Sequence, residues 1–183
     1  MNKGKVLILS GPSGVGKGTV VNKLLETVDN VTLSISATTR QPRCGEIDGV
    51  HYFYISREDF EEKIKNDQLL EYNLYNGNYY GTLKSYVESL QAEGKHVILE
   101  IDVNGGRQIK ERTPDAITVF MTAPSDEEIE RRLRNRNTET EEAILKRLEI
   151  AKKERQQAAD YDFFVCNDTI ESAVNQLIDI LNK

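Results

Sequence analysis

The sequence predicts an α/β fold: a parallel sheet covered by helices, with an inserted lobe of short, mainly antiparallel strands and a helical lid. Three observations carry this expectation. Apolar runs suited to buried strands recur at Val6 to Leu9, His96 to Ile101, Ala116 to Met121 and Phe163 to Cys166, and helical patterns separate or flank them. The first run leads into the glycine-rich segment Gly11 to Thr19 and then a helix. Between that helix and Tyr86 the pattern changes to short β-type stretches around an Asn76-Gly77 hairpin signal.

The elements follow in order. After the first strand, Val20, Val21, Leu24, Leu25 and Val28 form one apolar helix face. Thr32 to Ser36, His51 to Ile55, Leu70 to Tyr75 and Asn78 to Tyr80 read as strands of the lobe, with a helix opening at Ser56 laid against it. The helix from Leu83 to Glu93 ends at Gly94, a C-terminal cap, and Ser125 with Glu128 has capping-box spacing. The amphipathic stretch Ile170, Val174, Leu177, Ile178 and Leu181 packs back on the sheet. The expected division is core at 1–33, 87–125 and 156–183, lobe at 34–86 and lid at 126–155.

A chain of 183 residues with 38% apolar content can bury one good core. Cys44 and Cys166 lie far apart without metal-ligand spacing, and His51 and His96 complete no cluster, so a reduced, cytoplasmic protein is expected. No signal peptide and no membrane-spanning run is expected. The net charge of -6 argues against nucleic acid as a partner, because neutralising a phosphate backbone needs surplus Lys and Arg. Small molecules remain as partners, and a homo-oligomer is left open.

Positive charge must then act locally. In Gly11-Pro12-Ser13-Gly14-Val15-Gly16-Lys17-Gly18-Thr19, the glycines let successive backbone N–H groups converge on phosphate oxygens, and the helix behind turns its positive end toward the bound anion. Lys17 adds a mobile charge. The usual metal-binding hydroxyl after the lysine is replaced by Gly18, and a hydroxyl comes one residue later at Thr19.

A second basic segment, Ser36-Ala-Thr-Thr-Arg40-Gln-Pro-Arg43-Cys-Gly-Glu46, places two arginines around Pro42. It reads either as a solvated basic loop or as a second phosphate site, whose guanidinium forks Tyr52 and Tyr80 would supplement with hydroxyl donors. Asp102 follows a central strand, where open parallel sheets bind ligands; it is either an N-cap or a carboxylate facing substrate or metal-bound water. From Arg131 to Arg155 there are nine Lys or Arg against five Glu. Glu142 with Lys146 and Glu149 with Lys153 suit exposed i, i+4 pairs, while Arg132, Arg136 and Arg147 flank a break at Asn135 to Thr140 that suits a closing lid.

These segments, together with Gly77 to Thr82, Leu99-Glu-Ile-Asp102, Arg136 to Glu142 and Val165-Cys-Asn167-Asp168, resemble the guanylate kinases in order and spacing from Gly11 nearly to the C-terminus. The resemblance implies a P-loop NTPase-type core, ATP and GMP as substrates (dGMP included) and Mg²⁺ with ATP. It implies that Arg40, Arg43, Tyr52 and Tyr80 bind the GMP phosphate, that Glu46 belongs to the GMP site, and that Ser36, Glu71, Thr82 and Asp102 surround guanine. Lys17, Arg132, Arg136 and Arg147 would serve the transferred phosphoryl group, and Asn167 would face adenine beside the Gly11 to Thr19 loop. No direct metal ligand is assigned; Thr19 and Asp102 are candidates, through water. Departures are Gly18, Glu100 where Asp is frequent, and Asn135 and Asn137 where glycines are frequent. Glu71 suits guanine, because one carboxylate can accept both N1–H and the 2-amino group. Two other readings remain: a guanylate-kinase-like interaction module without turnover, and a small P-loop kinase with another acceptor.

Overall fold

Strand β1 (Val6–Ser10) is buried along its whole length, as a continuous apolar run between two helical layers should be. Leu7 and Leu9 face one core with Val20, Val21 and Leu24 of α1 (Lys17–Thr27) and Leu177 of α7 (Ile170–Leu181). Val6 and Ile8 face the other, with Val87 and Leu90 of α3 (Lys84–Ala92) and Ile109 of α4 (Val103–Arg112). This alternation is the period-two geometry of a strand.

The computed structural model describes residues 3–135 and 140–183. Its main sheet has the order β2-β7-β1-β8-β9, with β2 at Val31–Leu33, β7 at His96–Glu100, β8 at Ile117–Thr122 and β9 at Phe163–Cys166. All four pairings are parallel. Leu9 stands beside Glu100 in register, so the ends of β1 and β7 open on the same edge, where α/β sheets place ligands.

A second sheet, β4-β3-β6-β5, is built from β3 (Ala37–Thr38), β4 (Phe53–Tyr54), β5 (Leu69–Tyr75) and β6 (Asn78–Leu83). It is mixed, since β3 and β4 run parallel while the other pairs are antiparallel. Helix α2 (Arg57–Lys65) covers it through Phe60, which packs with Ala37 and Leu69. Asn76 and Gly77 close the β5–β6 hairpin with positive φ at both positions, the requirement of a tight primed turn.

One expected element lies elsewhere. The stretch read as a lobe strand from Thr32 to Ser36 ends at Leu33 and pairs with β7 in the core sheet. Its β-branched residues suit either sheet; the neighbouring apolar strand β7 decides.

Helices α5 (Asp126–Asn135) and α6 (Glu141–Gln157) pack against each other. Their ion pairs among the described residues join Arg131 and Arg132 to Glu128, Arg134 to Glu130 and Glu141, and Arg155 to Asp126. The pairs expected from spacing alone, Glu142 with Lys146 and Glu149 with Lys153, do not form. Among the described residues no helix is long and apolar enough to cross a membrane.

Candidate active site

The loop between β1 and α1 takes the concave form its glycines allow. Gly11, Gly14 and Gly16 have φ of 153°, 87° and 97°. At Gly16 a side chain is also excluded by space, since a Cβ would lie 2.6 Å from Asn167 Nδ2. Lys17 opens α1 and donates to the Gly11 carbonyl at 2.6 Å, which holds its ammonium over the loop.

Two side chains from distant segments brace that loop from beneath. The Val15 carbonyl accepts from Asn167 Nδ2 at 2.7 Å and from Arg132 Nη1 at 3.1 Å. Arg132 also donates to the Asn167 carbonyl at 3.0 Å and to Glu128 Oε1 at 2.6 Å. Both residues of the sequence reading thus meet the loop as structural partners of its backbone. Glu128, which that reading used only as a capping residue, receives Arg131 and Arg132, and their hydrogen bonds hold its carboxyl at about 2. Arg147 of α6 donates to Ser13 Oγ. Arg136 lies outside the described residues.

The second basic segment folds into an organised cluster. Arg40 makes a bidentate pair with Glu46 at 2.9 Å through each nitrogen, and Glu46 also accepts from the Arg43 backbone N–H at 2.7 Å and the Tyr54 hydroxyl at 2.8 Å. The Arg40 fork, then the Arg43 N–H, hold the Glu46 carboxyl down at about 2. Glu46 therefore shapes the loop, with its oxygens already taken. The Arg40 guanidinium lies over the Tyr52 and Tyr54 rings, 5.5 and 5.9 Å from their centroids, an arrangement that favours a cation. Tyr52 and Tyr80 meet edge to face at 6.0 Å. Tyr54 was missed in the sequence, although its period-two spacing from Tyr52 placed both on one strand face.

A cleft of about 420 Å³ adjoins this cluster, lined among others by Ser36, Tyr52, Glu71, Tyr80, Glu100 and Asp102. Glu71 is 7% exposed and Thr82 1%, so a carboxylate is set deep in a pocket wall. Thr82 Oγ1 donates to Glu71 Oε1 at 2.7 Å. Burial pushes the Glu71 carboxyl up to about 7; the Thr82 bond opposes this and the nearby Asp102 charge adds to it. Asp102 caps α4, its Oδ1 accepting from the Gly105 N–H at 2.8 Å, and still lines the cleft. A Cβ at Gly105 would lie 3.2 Å from Glu71 Oε2, so this glycine lets the helix start approach the carboxylate.

The two constellations meet at Glu100, which lines the cleft and whose Oε2 is the nearest atom, at 4.0 Å, to a Cβ placed on Gly18. Glu154 of α6 has Oε2 buried without a hydrogen-bond partner, and burial raises its pKa against the pull of Lys17. Thr19 is exposed on the first turn of α1. Among the described residues, no group of three or more His, Cys, Asp or Glu is arranged to hold a metal alone. The arrangement offers an amide-lined anion cradle and a guanidinium-lined anion site, with a buried carboxylate beside the second.

Comparison with known proteins points the same way. Residues 3–183 match the family model described as guanylate kinase. A guanylate kinase of Fusobacterium nucleatum is 50% identical over 183 residues, covering 100% of this chain and 98% of that protein. One from Desulfitobacterium hafniense is 48% identical over 180 residues, covering 98% and 90%. The crystal structure of guanylate kinase from Anaplasma phagocytophilum aligns with a TM-score of 0.74 at 32% identity, covering 100% of this chain and 86% of that one.

Proposed function

Because the chain belongs to the guanylate kinase family, it phosphorylates GMP at the expense of ATP, and we propose that its two anion sites seat the two nucleotides. The triphosphate of ATP takes the Gly11 to Thr19 loop, and GMP takes the cleft with its phosphate on Arg40 and Arg43. The observation that carries this reading is the buried Glu71 carboxylate in the cleft beside the Arg40–Glu46–Arg43 cluster. A carboxylate at that depth is costly unless a ligand satisfies it. Guanine does so with its N1–H and 2-amino donors, whereas adenine would present an acceptor at N1. Ser36, Thr82 and Asp102 complete the base pocket, and dGMP is an acceptor too.

The attacking GMP phosphate oxygen is already anionic, so no general base is required. The work of the protein is to bring two polyanions together in line and to stabilise the charge that spreads during transfer. Lys17 swings from the Gly11 carbonyl to the transferring group, and Arg147 moves from Ser13 to the same region. Arg132 acts by holding Val15, and Asn167 by holding the same carbonyl while its segment borders adenine. Residues 126–155 close as a lid and 34–86 form the GMP lobe, with core at 1–33, 87–125 and 156–183; Arg136 completes the lid charges. Closure excludes water that would otherwise take the phosphoryl group.

Mg²⁺ bound with ATP would neutralise charge across its phosphates. The residues fit such an ion: Glu100 and Asp102, which line the cleft, are hard donors, and Mg²⁺ is commonly held by one or two carboxylates, waters and substrate phosphates. The test is an acceptor screen with AMP, CMP, UMP, GMP and dGMP, with and without Mg²⁺. Transfer restricted to GMP and dGMP and dependent on metal is expected; equal use of AMP would overturn the Glu71 assignment.

A further inference from the structure

Glu71 faces the cleft because strand β5 is irregular just before it. In a regular strand Leu69 and Glu71 would share a face, and Leu69 packs into the apolar cluster of Ala37 and Phe60. The pairing with β6 instead shifts register between Leu69 and Glu71. Leu70 turns to the core of Val87, Leu90 and Ile109, Glu71 to the cleft and Tyr72 back to the Leu69 cluster. One extra residue in the strand thus re-aims a carboxylate that would otherwise lie against Phe60.

An edge strand leaves the N–H and C=O groups of one side unpaired, and β5 ends its sheet. Helix α4 supplies the partners. Gln108 takes both main-chain groups of Tyr72: its Oε1 accepts from the N–H and its Nε2 donates to the carbonyl, each at 3.3 Å. On the other side of the bulge, Arg112 Nη1 donates to the Leu69 carbonyl at 2.8 Å. Gly105, which lies against Glu71 Oε2, Gln108 and Arg112 follow one another at i, i+3 and i+7, on one helix face. Asp102 caps the same helix, so this clamp ties both cleft carboxylates to one rigid element.

We infer that Gln108 is a specificity-determining positioning residue: by clamping Tyr72 at the edge of β5, it holds the Glu71 carboxylate at the angle from which both guanine donors are met. The inference rests on Glu71 reading guanine and deepens that reading. Two parallel hydrogen bonds, from N1–H and the 2-amino group, need the carboxylate in the plane of the base, whereas a single bond tolerates a rotated one. A loosened β5 therefore loses the second contact first.

The test is acceptor kinetics with GMP and with inosine monophosphate, whose base is guanine without the 2-amino group. Wild type, Gln108→Met, Glu71→Gln and the double variant are compared; Met keeps the side-chain length and removes both hydrogen bonds. Gln108→Met should lower kcat/KM for GMP roughly tenfold or more, lower it less for inosine monophosphate, and leave KM for ATP unchanged. In the Glu71→Gln background it should alter the ratio of the two acceptors little, because no carboxylate is left to aim. An unchanged ratio in Gln108→Met, whether or not activity falls, would mean a structural role alone and would overturn the inference. A wild-type ratio in Glu71→Gln would instead remove the guanine reading on which the inference stands. Should Gln108→Met fail to fold, Arg112→Met frees the Leu69 carbonyl from an exposed position; a narrowed ratio is expected there, and an unchanged one overturns the inference.

Discussion

Thr82 Oγ1 donates to Glu71 Oε1 at 2.7 Å inside the cleft wall, so one oxygen of a buried carboxylate is satisfied while Oε2 lies toward the start of α4. With burial raising its pKa to about 7, the free protein at neutral pH has Glu71 divided between its two forms, whereas guanine needs the ionised one. GMP affinity should therefore weaken as pH falls below about 7, by as much as tenfold per unit. Calorimetry from pH 5.5 to 8 on wild type and Glu71→Gln separates this slope from the titration of the GMP phosphate, and equal slopes would refute it.

The same shift has a consequence for stability. The folded pKa lies above the unfolded one, so the folded state keeps a proton that the unfolded state releases between about pH 4.5 and 7. The contribution of Glu71 is fully present below that window and is lost as pH rises through it. Glu71→Gln should unfold at higher denaturant than wild type at pH 8, by roughly 1–3 kcal/mol, and the two should converge near pH 4.

Glu46 occupies Arg40, the Arg43 N–H and Tyr54, leaving the exposed Arg43 guanidinium as the cation with most freedom to meet a phosphate. Arg43→Ala should lower kcat/KM for GMP by about two orders of magnitude with little change in KM for ATP. Glu46→Gln should raise KM for GMP less than Arg43→Ala does, because it loosens the loop without removing its cations. Steady-state kinetics with each substrate varied decides both.

Lys17 bonds the Gly11 carbonyl at 2.6 Å, which holds its charge at the loop where the transferring group is proposed to lie. Lys17→Met should reduce kcat by roughly 10²–10³, the scale for losing one positioned donor to developing charge. Wild-type kcat in this variant would exclude the loop from the chemistry.

Asn167 and Arg132 share the Val15 carbonyl. Asn167→Asp turns a donor into an acceptor against that oxygen and should destabilise the fold by about 1–3 kcal/mol, measured by urea unfolding. Gly16→Ala should do comparable damage, since its φ of 97° and the 2.6 Å approach to Asn167 Nδ2 both oppose a side chain. Tolerance of both changes would mean that the loop is not held as described.

Local patterns were legible where chemistry and chain order coincide. The Gly11 to Thr19 loop, the Asn76-Gly77 turn and the buried apolar run of β1 depend on neighbours in sequence, so residue type alone announces them. Asp102 reads in the sequence as either an N-cap or a cleft residue, and it is both, because α4 begins where β7 meets the cleft. The β2 segment is not legible in this way, because its composition suits either sheet and only its partner strand distinguishes them.

The amino-acid order by itself announces the glycine-rich loop, the arginine pair and the α/β class, since each follows from backbone freedom, charge or periodicity within a short window, whereas a place for Glu71 beside guanine comes only from the resemblance to the guanylate kinases. Tertiary packing decided which charges were already engaged: Arg40 by Glu46, Arg132 and Asn167 by Val15, and Glu71 by burial rather than by a cation. It also brought Glu100 to the edge of Gly18, across 82 residues of chain. The physical reason is that desolvation and hydrogen-bond pairing depend on what surrounds a group in space, and residues far apart in the chain supply most of those surroundings.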